Sequence, residues 1–147
     1  MGSLCDKLAI VELKRWHTSS ASRLQVLDKQ ASQLSDEIDA HVCDSVSGAI
    51  QPDRLRFPSN KVFDIGDRTL QAVEGGLGHV IGELARINCA LWHEQEKVYE
   101  VQKSPETHHD AVQILERLGQ LNLERTQCID AIDEGFLNTL QTNEQNS

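Results

Sequence analysis

Positive charge is scarce in this chain: 14 Lys and Arg stand against 23 Asp and Glu, a net charge of -9 over 147 residues. A nucleic-acid phosphate backbone or an anionic lipid surface would be repelled, so neither is an expected partner. Long apolar runs are missing too. No stretch approaches the roughly 18 residues of a membrane span, and the N-terminus lacks the basic-then-apolar pattern of a secretory signal. "MGSLCD" partly fits an acylated Gly2 followed by Cys5, but Asp6 stands where the myristoylation pattern wants Ser or Thr. The four cysteines, Cys5, Cys43, Cys89 and Cys128, form no C-x-x-C pair and sit singly in helical patterns, as reduced thiols do. Together these absences predict a cytoplasmic protein. Also missing are a Gly-rich phosphate loop, a nucleophile elbow and a Cys-His arrangement with a third orienting group.

What is present is helical periodicity. At this length a single domain with a sizeable core is expected. From Leu4 to about Val42 the apolar residues Leu8, Val11, Leu24, Leu27, Leu34 and Ile38 recur at helical spacing. A break is expected at "HTSSAS", where Thr18, Ser19 and Ser20 offer helix caps. Residues 43–67, with two prolines and two glycines, read as a long irregular connection. A second helical hairpin is predicted over 68–140, weakened at "EGGLG" and restarted at "SPETHHD" by Ser104 as N-cap and Pro105 in the first turn. Residues 141–147 read as a polar, fraying tail. Within "THHD", His108 and His109 read as an exposed helix start rather than a ligand pair.

The chain has two tryptophans, and histidine follows both. "LAIVELKRWH" aligns with "LARINCALWH" at an offset of 76, and "RLQVLDKQASQLSDEID" with "RLGQLNLERTQCIDAID" at an offset of 94. These pairings suggest an internal repeat of two helical hairpins. The predicted fold is an all-α, four-helix-type bundle with Trp16 and Trp92 buried in equivalent places.

Polar residues interrupt the apolar seam of the second half. Asn88, Trp92, Glu96 and Glu100 follow one another at four-residue steps, with His93 beside Glu96. In the last segment Asn122 and Arg125 fall on the stripe of Leu118, Leu121, Ile129, Ile132 and Phe136, with Asp130 and Asp133 at its lower end. An arginine on a seam needs a carboxylate, and Glu96 is the expected partner of Arg125. The candidate ligand-binding cluster is therefore Asn88, Trp92, His93, Glu96, Asn122, Arg125 and Asp133. The same residues would equally serve as a closed polar network that fixes helix register.

These residues resemble a known family. "LARINCALWHEQEKVYE" with "LERLGQLNLERTQCIDAIDEGFL" is similar to the last two helices of the bacterial domain-of-unknown-function family 4254, and "IVELKRWHTSS" to its first helix. The matching positions are Asn88, Trp92, His93, Glu96, Asn122, Arg125, Ile132 and Asp133. Gln95, Tyr99, Leu123 and Gln127 depart from the family's usual residues. The resemblance implies a compact all-α fold with a polar cluster between helices, and it assigns no reaction.

The expected function is accordingly that of a binding module, which takes a protein partner or a small polar ligand at the Trp-His cluster. It needs no cofactor, and it could form a homo-oligomer. The alternative is a magnesium- or manganese-dependent hydrolase of a nucleotide or phosphorylated sugar, with Glu96, Glu100, Asp130 and Asp133 as metal ligands.

Overall fold

The computed structural model describes residues 1–55, 73–101 and 108–145. Four α-helices and one short 3-10 turn make up the described part, with no strand in it. The chain is an all-α bundle of two hairpins.

Helix α1 spans Gly2–His17 and ends with Lys14, Arg15 and His17, cations that suit the negative end of its dipole. Thr18 is extended and Ser20 caps α2, Ala21–Val46, its hydroxyl accepting from the Arg23 N–H at 3.4 Å. The break expected at "HTSSAS" is thus where the first hairpin turns. Helix α2 runs four residues into the stretch assigned to the connection, since no Pro or Gly precedes Gly48 to stop it. A 3-10 turn, Pro52–Arg54, then places Leu55 in the core.

Helix α3, Leu77–Val101, begins directly after the glycine pair, and Gly75 has φ 128°, a conformation L side chains rarely adopt. "EGGLG" therefore marks a helix start. The helix expected from Arg68, and the cap at Ser104 and Pro105, lie outside the described residues. Helix α4 covers His108–Gln145, so residues 141–145 of the segment read as a fraying tail continue the helix. The residues of "QTNEQNS" are polar, but none is a Pro or Gly, and polarity alone does not end a helix.

Three apolar clusters hold the helices. The largest joins Val80, Leu84 and Ile87 of α3 to Leu121, Cys128 and Ile132 of α4. A second joins Val11 of α1 to Leu27 and Ala31 of α2. The third gathers Leu55, Phe136 and Leu137, with Val42 reaching it from the end of α2. Helix α1 packs on α2, α3 and α4 alike, whereas α2 lies mainly along α1. The bundle is therefore lopsided, and α1 is its hinge-pin.

Gly2 shows how closely α1 meets α4. A Cβ added there would lie 2.2 Å from the backbone oxygen of Ile129, so only glycine fits.

Candidate functional site

Of the seven predicted site residues, Asn88, Arg125 and Asp133 lie between helices, Trp92, His93 and Glu96 form a surface cluster, and Asn122 joins neither. Asn88 and Asp133 are 4% and 5% exposed, and Asp6 of α1, which sequence reasoning overlooked, is 4% exposed. Arg125 does not meet Glu96. Its Nε donates to Asp6 Oδ1 at 2.7 Å and its terminal nitrogen to Asp6 Oδ2, while Asn88 Nδ2 donates to Asp6 Oδ1 at 3.0 Å. The hydrogen bond to Asp6 raises the Arg125 pKa further above its ordinary value, against the opposing effect of burial. Both oxygens of Asp6 are therefore engaged by protein groups. One helical turn further along α4 than Ile129, Asp133 accepts from the Gly2 N–H at 2.7 Å and pairs with the Met1 ammonium at 2.9 Å.

Periodicity found the face of Arg125 but not the helix opposite. Asp6 shares a side of α1 with Gly2, Ala9 and Leu13, while Val11 looks toward α2. A helix with two apolar sides lies between two neighbours, and that pattern was the available signal.

The surface cluster forms where the end of α1 meets the middle of α3. The His17 ring stacks on Trp92 with centroids 4.7 Å apart, and the His93 ring stands edge-on to His17 at 6.5 Å. Trp92 Nε1 donates to Glu96 Oε1 at 3.0 Å, and His93 Nδ1 lies 3.4 Å from Glu96 Oε2. His93 and Glu96 are exposed and Trp92 is half-buried. Trp16 is 87% exposed, contrary to the expectation that both indoles are buried. It sits on the last turn of α1, where the chain leaves the bundle, whereas Trp92 has more than two turns of α3 beyond it. The two Trp-His pairs thus occupy different environments, and so do Asp39, exposed, and Asp133, buried, which the proposed repeat also equates.

Beside Trp16 an open groove of about 400 Å³ runs between α1 and α3, lined by Ala9, Glu12, Leu13, Trp16, Ala85 and Cys89. On α1 these residues form one helical stripe, and on α3 they are one turn apart.

The remaining candidates lie elsewhere. Asn122 is exposed and donates to the Leu118 carbonyl at 2.9 Å, so it joins neither cluster. Glu100 is exposed on α3, Asp130 is half-buried on α4, and Asp133 is taken by the N-terminal groups. Among the described residues no group of three or more His, Cys, Asp or Glu side chains is gathered as metal ligands would be. The proposed quartet of Glu96, Glu100, Asp130 and Asp133 is not gathered in this way: Glu96 and Glu100 are exposed on α3, whereas Asp133 is buried on α4 against the N-terminal groups.

Nucleophile chemistry finds little support in the half-buried Cys5 or the buried Cys128. Burial raises the pKa of both Cys5 and Cys128 above the ordinary thiol value, which keeps them protonated at neutral pH. No described helix is long and apolar enough to cross a membrane. Comparison with family models, with curated proteins and with solved structures gives no match.

Proposed function

We propose that this chain is a helical binding module whose interaction face is the α1–α3 surface, comprising the groove, Trp16 and the adjoining His17–Trp92–His93–Glu96 cluster. The observation that carries the reading is Trp16, an indole 87% exposed at the mouth of an apolar groove. Tryptophan is strongly favoured in the buried centres of interfaces, and leaving one in water forgoes a large apolar contribution. The buried Asp6–Asn88–Arg125 network plays a different part here: it fixes α1 on the second hairpin and so holds the face in shape. Membership of family 4254 is part of the proposal, and so is a reducing cytoplasm as the working environment, in keeping with four free cysteines.

Site-specific photo-crosslinking in the producing cell tests the reading. A benzophenone amino acid replacing Trp16 should give a discrete covalent adduct, and the same group replacing Gln25, exposed on α2, should not. Absence of any adduct from position 16 would sink it. The module needs no metal, so millimolar magnesium or manganese should leave the melting temperature where an ionic-strength control puts it. A specific upward shift would revive the metal-dependent hydrolase.

A further inference from the structure

We propose that the occupant of the α1–α3 groove is a second copy of this chain, the Trp16 indole of each protomer seating in the groove of the other. The inference rests on the reading of this face as a binding surface and names its partner.

Knob and hole lie on one patch. Trp16 projects at one end of the stripe, and two turns back, about 10.5 Å along the helix axis, Ala9 marks the other end with Ala85 and Cys89 beside it. A twofold axis near Leu13 sets two α1 helices antiparallel and carries each indole over the small residues of the other copy. An isologous contact requires this pairing of i with j and j with i. Small side chains at Ala9 and Ala85 let the helices approach without repacking.

Charge discriminates between a second copy and a cationic partner. The chain carries a net charge of -9, yet the rim of this groove is close to balanced. Arg15 holds Glu12 at 2.6 and 2.8 Å and also Asp28 at 2.8 Å, and Arg86 holds Glu83 at 2.8 Å. A basic helix would find the charge of Glu12, Asp28 and Glu83 already offset by Arg15 and Arg86 and would have to compete with those arginines for it. A second copy brings the same internally paired rim and meets no large excess of either sign. Glu12, which falls near the axis, faces its symmetry mate with its charge already bound by Arg15. The remaining negative charge of the two protomers opposes association from a distance, so screening by salt should tighten the dimer; it would loosen a complex with a cationic partner.

Sedimentation velocity on the full chain, from about 5 µM to about 1 mM, reads the self-association directly. The expected result is a monomer–dimer equilibrium that strengthens as salt rises from about 0.02 to about 0.3 M. Trp16→Ala removes the knob, and Ala85→Gln fills the hole without adding charge. Each should weaken the dimer by about tenfold or more while leaving the melting temperature of the dilute protein unchanged, since both positions are exposed. A species that stays monomeric to about 1 mM, or a dimer that neither substitution weakens, overturns the inference. If the monomer still gives a photo-adduct with another protein from position 16, self-association fails and the binding reading stands; if it gives none, both fail.

Discussion

Asp6, Asn88 and Arg125 form a closed set in which one carboxylate takes three hydrogen bonds from two other helices. Removing Arg125 leaves the buried Asp6 carboxylate with Asn88 but no countercharge, and removing Asp6 leaves the half-buried Arg125 guanidinium without its carboxylate. Asp6→Ala and Arg125→Ala should each cost about 2–3 kcal/mol in urea denaturation, Asp6→Ala the less because the arginine it strands retains some access to water. The double variant should cost clearly less than the two together, with a coupling above about 1 kcal/mol; additive effects would show that the pair does not act as a unit. His41 illustrates the opposite condition. Its ring lies 5.9 Å from Phe136, and among the described residues its buried Nε2 has no hydrogen-bond partner. Burial, and then the Met1 ammonium, lower its pKa below the ordinary value, with Asp133 and Asp44 pulling the other way. The fold therefore favours neutral imidazole, and the unfolded chain binds the proton more readily. Stability should fall as pH drops below about 6.5, through the window between the two values. His41→Leu should flatten that acid limb and be neutral or slightly stabilising at about pH 7.5, because it removes an unpaired polar atom. An unchanged pH slope in the variant would rule His41 out as the source. That Arg125 lies on a seam was legible from its spacing among leucines. Its partner was not legible, because Asp6 is 119 positions away and periodicity assigns a face without naming the opposite helix.

At the scale of the helix, the local signals in the sequence were mostly dependable. The break at Thr18–Ser20 and the apolar stripe of α4 appear as expected, because caps, glycines and spacing act over a few residues. Trp16 was misjudged for a physical reason: side-chain size predicts burial only where a neighbouring helix extends far enough to cover it. The surface cluster was legible only in part, since the acid and imidazole of α3 stand three residues apart in sequence whereas His17 arrives from another helix. Helix crossings were equally invisible, and Gly2 is the clearest of them. Gly2→Ala would drive a methyl group into the Ile129 carbonyl, and the shift needed to relieve it should cost about 1–3 kcal/mol. Ser20→Ala should cost less, about 0.5–1 kcal/mol, since its capping bond is long at 3.4 Å. Thermal melts of the two variants would rank them, and the reverse order would contradict the crossing described here.

Taken as a whole, the molecule distributes its core unevenly. Leu84, Leu121, Cys128 and Ile132 are fully buried between α3 and α4, while α2 buries only Leu27, Ala31 and Ser45. Native-state hydrogen exchange should therefore show amides around Leu27 opening at lower denaturant than those around Leu84 and Leu121. A single opening free energy for all four helices would contradict that picture. The long-range bonds of α1 also set an order on synthesis. Among the four helices α1 leaves the ribosome before the others, yet Asp6 waits 119 residues for Arg125 and Gly2 waits 131 for Asp133. In the interval the nascent hairpin of α1 and α2 carries an uncovered carboxylate on the side meant for burial. That charge keeps the young helix wetted and discourages it from collapsing onto whatever apolar surface it meets before its own arginine has been translated.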